Sequence, residues 1–353
     1  MPSDDPSQPH RRSRTQAQQI TKLVNVGLQG GGAHGAFVWG VLDYLLEDGR
    51  LDLCGISGAS AGAVNAVVVA HGVSTGGREG GRAALADFWR KVGEPSSYIG
   101  PHPFQLPLPL SYFSEVTPAF VIFDLLTRCW SPYQLNPLNI NPLRSILEAT
   151  VDFERLRTCP RTNLFLTATN VRSGKVHVFR TKEVSADVVL ASACLPQVFQ
   201  AVEIDGEAYW DGGFMGNPAI FPLIYDSPSQ DVVIVHVNPL VRPDVPRTAL
   251  EIENRMNEIS FNASLISEMR AIAFVTRLID QGRIPEGLMK RMLLHSIAAD
   301  DVMQTLSAVS KMNTSWEFLT QLRDIGRKRA AQWIDDSFDR IGEESSTDIR
   351  SFL

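Results

Sequence analysis

Three short stretches carry residue types that could do chemistry together. The first is Gln29-Gly30-Gly31-Gly32-Ala33-His34-Gly35, and the second is Gly58-Ala59-Ser60-Ala61-Gly62. The third is Trp210-Asp211-Gly212-Gly213. In the second, a serine is flanked by small residues at Gly-x-Ser-x-Gly spacing. That pattern fits a sharp strand-to-helix elbow, which exposes the serine hydroxyl at a helix N-terminus, where the dipole favours a nucleophilic oxygen. A capping serine needs only Ser60 itself and not glycines at both 58 and 62. In the first stretch, Gly30, Gly31, Gly32, Ala33, His34 and Gly35 bring backbone N–H groups together ahead of a helix, as stabilisation of an oxyanion requires. Gly30, Gly32 and Gly35 also satisfy Gly-x-Gly-x-x-Gly, a dinucleotide fingerprint. The next strand, however, begins with Asp52 and ends in Ser57-Gly58, which puts the acid at the wrong end for a ribose contact. In the third stretch, Asp211 followed by Gly212 and Gly213 is by itself most often a turn. Its weight comes from its company and order.

The elements around these stretches must position them. Leu23–Leu28 reads as a buried strand and Ala36–Glu47 as a helix. Leu53–Ile56 reads as a strand and Ala61–Ala70 as a helix. This alternation implies a parallel sheet covered on both faces. Gly72–Gly81 reads as a loop and Arg82–Lys91 as a further helix. Asn163–Thr169 with Lys175–Phe179, and Ala201–Ile204 with Glu207–Trp210, read as hairpins, the second turning at Asp205-Gly206. Asp231–Val237 is a further buried strand. After Asn238-Pro239 the pattern turns helical over Leu250–Asp280, Pro285–His295 and Trp316–Trp333. Between Tyr98 and Trp130, prolines alternate with aromatic residues and leucines, which predicts either an apolar flap over the site or a static buttress.

Seven histidines are present: His10, His34, His71, His102, His177, His236 and His295. None follows a strand in the position that a serine's imidazole base would take. The four cysteines form no CxxC pair, which predicts reduced thiols and no structural zinc. No calcium loop or HExxH helix appears, so no metal and no cofactor is expected. The net charge is −6, which argues against nucleic-acid binding. No run of ~18 apolar residues predicts a membrane span, and residues 1–20 read as a polar tail without a secretory signal. The expected location is cytoplasmic, with peripheral membrane contact left open. Oligomeric state is not encoded in any pattern found.

Taken together, the glycine triplet at 30–32 with Gly35, the Gly58–Gly62 elbow and Asp211-Gly212-Gly213 resemble the bacterial patatin-like phospholipases. The small-residue segment Ala191–Gln200 adds to the likeness, which runs from about Leu23 to Pro239. The resemblance implies a three-layer α/β/α core and a Ser–Asp dyad, with Ser60 as nucleophile and Asp211 as general base. It also implies an oxyanion hole in the 30–35 loop and an acyl-serine intermediate formed from a lipid acyl ester. The family often carries Arg or Lys where this chain has His34, so the likeness speaks more strongly for ester hydrolysis than for a phospholipid head group. The expected organisation is a tail (1–20), a hydrolase domain (21–240) and a helical C-terminal extension (241–353) that covers the sheet. A soluble esterase or thioesterase is the nearest alternative. An NAD(P)-binding oxidoreductase or an inactive lipid-binding module are alternatives of other classes.

Overall fold

A computed structural model describes residues 21–94, 129–158, 161–285 and 287–352. One sheet organises the molecule. Its parallel part contains β1 (Lys22–Leu28), β2 (Leu51–Gly58), β3 (Asn163–Asn170), β7 (Asp231–Val235) and β8 (Leu293–Ile297), in the order β3-β2-β1-β7-β8. Three antiparallel strands extend it beyond β3: β4 (Val176–Arg180), β5 (Val202–Ile204) and β6 (Glu207–Asp211). The β5–β6 turn has positive φ at Asp205 and Gly206 (51° and 80°), the backbone of a tight hairpin.

The strands alternate their side chains between two apolar layers, as strand geometry dictates. On β7, Val233 and Val235 join one core with Val24, Val26 and Leu28. Val232 and Ile234 join the other, with Leu265, Met269 and Ile272. The first core is covered by α1 (Gly35–Asp48), α2 (Ala61–Gly93) and α6 (Trp316–Ser337), and the second by α5 (Ala249–Asp280). The shorter helices between α2 and α5 in the chain include α3 (Pro142–Thr150) and α4 (Ala186–Ser192). This is the expected three-layer α/β/α architecture with a largely helical C-terminal region.

Two local expectations are corrected. The loop expected over 72–81 shrinks to Gly76 and Gly77, whose non-helical backbone divides α2 into two helical arms. Two glycines suffice for a kink, and Gly72 and Gly81 instead allow close packing, since a Cβ at Gly72 would lie 2.4 Å from the Gly80 carbonyl oxygen. Residues 285–295 are not a helix either. The chain turns at 287–289 and Leu293–Ile297 forms β8 beside β7. An apolar run this short is ambiguous between helix and strand, and the free edge of β7 decides it.

The C-terminal region is therefore continuous with the core. It supplies the last parallel strand, and α6 packs directly on α1. A Cβ at Gly326 would come 2.2 Å from the Phe37 carbonyl oxygen, and one at Gly40 would overlap Arg323 backbone, so both helices depend on glycine to approach. Phe318, Leu322 and Ile334 share the core of Val24 and Val26. Among the described residues, no helix is long and apolar enough to cross a membrane. The expected flap falls outside the described residues except for its last two positions, of which Trp130 is 47% exposed.

Candidate active site

Sheet topology brings the serine and the aspartate together. Strand β3 pairs with β4 along one edge, from Phe165 to Thr169. Its other edge is shared. β2 occupies it up to Gly58, opposite Leu166, and β6 occupies it from Asp211, opposite Ala168. Two residues along a strand span about 7 Å. The chain leaving β2 into the elbow and the chain leaving β6 into Gly212 thus meet at one point, with Ser60 and Asp211 on either side of it.

Ser60 has φ 52° and ψ −125°, strained backbone for a residue with a side chain. Such strain costs about 1–3 kcal/mol and persists only where the surroundings enforce it. Here Ser192, at the end of α4, holds the elbow: the Ser60 N–H donates to the Ser192 hydroxyl (3.0 Å) and to its carbonyl (3.2 Å). Gly62 must be glycine because a Cβ there would sit 2.2 Å from the Leu28 carbonyl oxygen. The Ser60 hydroxyl does not cap α2, which removes the structural explanation for its presence. The residue is 8% exposed.

The glycine loop leaves β1 and tightens into a 3-10 turn over Gly32–His34. A Cβ at Gly30 would lie 2.5 Å from Ser60 Cβ, so the loop runs directly against the elbow. Its N–H groups are not equivalent. Gly30 donates to Asn217 Oδ1 (2.6 Å), His34 to the Gly31 carbonyl (3.1 Å), and Gly35 to carbonyls of the turn itself. The N–H groups of Gly31, Gly32 and Ala33 precede the first hydrogen bond of the turn and lie outside its ladder.

The His34 side chain faces inward. Its Nε2 lies 2.7 Å from Ser310 Oγ, its ring meets Phe318, and it is 3% exposed. Burial, reinforced by nearby Lys311, pushes its pKa down to about 3, so the imidazole is neutral. Ser310 and Phe318 of the C-terminal region cover this side chain.

Asp211 is fully buried. Its N–H donates to the Cys194 carbonyl (2.8 Å), and its own carbonyl accepts from Thr169 Oγ1 (2.8 Å). Oδ1 accepts the Gly213 N–H at 2.7 Å, whereas Oδ2 has no hydrogen-bond partner of good geometry among the described residues. Desolvation pushes the carboxyl up to about 7. The Gly213 N–H, the Ser60 hydroxyl and Lys311 each work in the opposite direction, so the serine is near enough to favour the anion. Gly212 and Gly213 let the chain turn beneath Thr167 and Phe261, where a Cβ would clash.

A ring of buried amides behind the loop was not legible from motif spacing. Gln29 Oε1 accepts the N–H groups of Val237 (2.9 Å) and Asn238 (3.0 Å), and its Nε2 donates to Asn262 Oδ1 (2.9 Å). Asn238 Nδ2 donates to the Gly30 carbonyl (2.9 Å). Gln29, Asn217 and Asn238 thereby fix the glycine loop to the ends of β1 and β7 and to α5. The available signal was a polar residue, Gln29, at the end of an apolar strand, and asparagines next to prolines at 217 and 238.

His236 lies inside the fold with its pKa lowered to about 4 by burial. His295 sits at the far end of the sheet, with Nε2 3.0 Å from Asp231 Oδ1 and Nδ1 2.8 Å from Ser346 Oγ. A cavity of about 350 Å³ lined by Leu46, Asp52, Arg78 and Arg161 includes none of the candidate residues.

The patatin-like phospholipase family matches residues 27–224, more than half of the chain. The chain belongs to that family, whose members are lipid hydrolases. Curated proteins provide no match. Among solved structures, VipD from Legionella pneumophila is similar at 17% identity, covering 89% of this chain and 70% of VipD, with a TM-score of 0.37. ExoU from Pseudomonas aeruginosa, solved in complex with SpcU, is similar at 14% identity, over 86% of this chain and 53% of ExoU, with a TM-score of 0.30. Likenesses this distant carry no part of the functional reading.

Proposed function

We propose that this chain cleaves acyl esters of lipids through an acyl-enzyme on Ser60, with Asp211 as the only protein base. The observation that carries this reading is the meeting of Ser60 and Asp211 at the shared edge of β3, with one carboxylate oxygen of Asp211 left unpartnered.

Ser60 Oγ attacks the ester carbonyl carbon while its proton passes to Asp211 Oδ2. A carboxyl raised to about 7 is both partly ionised and basic enough for that transfer near neutral pH. The negative charge that develops on the carbonyl oxygen is met by N–H groups of Gly31, Gly32 and Ala33, held rigid by Asn217 and Asn238. Asp211 then returns the proton to the leaving alcohol, and the acyl group remains on Ser60. Water, deprotonated by Asp211, releases the fatty acid. No imidazole is required, consistent with where the described histidines lie.

One further observation supports a lipid over a small soluble ester. Trp130, Tyr133, Leu135, Leu138 and Ile140 are all exposed, from 44% to 80%, within one short stretch. Exposed apolar residues concentrated in this way mark an interaction surface, and this one is joined to the site-bearing segment because Tyr133 Oη accepts the Ala201 N–H at 3.3 Å. The glycine loop also abuts Ser60, whereas a dinucleotide would need that space for phosphate.

Treatment with a fluorophosphonate followed by peptide mapping tests the proposal. Labelling confined to the peptide containing Ser60, with fatty acid released from vesicles, is expected. A labelled protein modified elsewhere, or release of fatty acid that survives Ser60→Ala, would overturn it.

A further inference from the structure

One cation stands in the site without an acidic counterpart. Lys311, from the C-terminal region, has no carboxylate within ion-pair distance among the described residues. Its Nζ donates to Asn238 Oδ1 (2.9 Å) and Asn257 Oδ1 (2.7 Å), and it lies over the Phe261 ring at 5.3 Å. Glu258 is near, but its carboxylate is engaged by Arg242 (2.9 Å) and Arg255 (3.1 Å). The other charged or titratable groups facing Lys311 are Asp211 and the neutral His34.

The hydrogen bonds lead from this cation to the glycine loop. Lys311 donates to Asn238, and Asn238 donates to the Gly30 carbonyl. That carbonyl belongs to the peptide whose N–H is that of Gly31, one of the three uncommitted donors. A hydrogen bond to a peptide's C=O withdraws charge from its N–H, and chains of such bonds reinforce one another. The main chain of Lys311 also abuts the loop, where a Cβ at Gly32 would lie 2.3 Å from its carbonyl oxygen.

We propose that Lys311 is a positioning residue for the hydrolytic site: through Asn238 it polarises the Gly30–Gly31 peptide toward an oxyanion, and its charge favours the anionic form of Asp211. The inference rests on the Ser60–Asp211 reading. The pKa directions agree with it. Lys311 lowers the pKa of Asp211, while burial lowers its own to about 8. Near neutral pH the cation is therefore present, and above about 8 it is lost. Because the two groups are coupled, the apparent values belong to the pair.

The test is the pH dependence of Ser60 labelling by a fluorophosphonate in the full chain, which reports nucleophile activation without deacylation. The wild-type rate should rise through the titration of Asp211 and fall again as Lys311 loses its proton. Lys311→Arg keeps its charge at all working pH values, so the rate should stay high on the alkaline side while the acid limb stays in place. Lys311→Met and Lys311→Gln should shift the acid limb upward and slow labelling about tenfold at neutral pH, less than the ~10²-fold cost of removing a direct oxyanion donor. Wild-type profiles in both neutral variants would overturn the inference, as would an Arg variant that behaves like Met. So would failure of both neutral variants to fold while the Arg variant folds with an unchanged alkaline decline. Absence of Ser60 labelling in the wild type would instead sink the underlying serine–aspartate reading.

Discussion

The sheet carries a serine and an aspartate at each end, and the two sets are in opposite states. At the N-terminal end of β7, Asp231 Oδ1 accepts the Gly342 N–H (2.8 Å) and lies 3.0 Å from His295 Nε2. Ser346 completes a serine–histidine–aspartate series through His295 Nδ1, which also accepts the Ser346 N–H (3.3 Å). Its central histidine is inaccessible, stacked edge-on against Trp333, and the cluster ties the chain after α6 to β7 and β8. At the C-terminal end of β2, Ser60 has strained backbone and Asp211 keeps one oxygen unpartnered in a buried place. The residue types of a hydrolytic triad thus serve as a structural clasp, while the chemistry proposed above falls to the pair without an imidazole. What separates them is unspent interaction energy, because a fully bonded group has little left to offer a substrate.

Mutation can break this contrast cleanly. Ser60→Ala should reduce ester hydrolysis by ~10⁴-fold or more, measured as fatty-acid release, with the fold retained. Ser346→Ala should leave turnover within about twofold, since Ser346 contacts only the clasp. Equal losses in the two variants would mean that the far cluster is catalytic. Asp211→Asn should be almost as damaging as Ser60→Ala, because the amide cannot take a proton.

Asp211→Asn should also stabilise the protein. The folded-state pKa of Asp211 is raised from 3.8 to about 7, so the folded protein binds the extra proton between those values. Its stability therefore falls as pH rises through that window, and the whole cost of burying the anion is felt above it. The stability advantage of Asp211→Asn should grow from pH 5 to pH 7 and level off beyond, reaching on the order of a few kcal/mol at pH 8. Calorimetry across that range checks the sign. For the same reason, activity should show an acid limb near pH 7. His295→Gln should do the reverse of Asp211→Asn, losing about 1–3 kcal/mol of stability through a broken buried hydrogen bond with little change in turnover.

Much of this site was legible in the sequence because its backbone demands are local. A strained serine needs small neighbours, a loop pressed on Ser60 needs Gly30, and a chain turning under Thr167 needs Gly212. Each demand leaves a mark within a few residues. The meeting of Ser60 with Asp211 was not local, since it depends on β2 and β6 sharing one edge of β3. The amide ring of Gln29, Asn217 and Asn238 was illegible for a related reason: each side chain answers a backbone group roughly 190 or more residues away. Lys311 was hidden most completely. It lies in a stretch with no motif. The C-terminal region also misled the reading of 285–295, where only the exposed edge of β7 turns an apolar run into β8.

The smallest effect concerns the exposed stretch 130–140, and it extends the contrast from the two ends of the sheet to the approach to the site. Leu138 is 80% exposed and Ile140 51%, so neither side chain gains much from the folded core. If they meet a lipid surface, each buries apolar area worth about 25 cal/mol per Å², or roughly 1–2 kcal/mol for a largely inserted side chain. Leu138→Ser should then lower hydrolysis of vesicles several-fold while leaving a soluble short-chain ester and the Tm unchanged. A loss of the same size on both substrates would place Leu138 in the folded structure of the site and not in its contact with lipid. No loss on either would remove Leu138 from the contact with lipid.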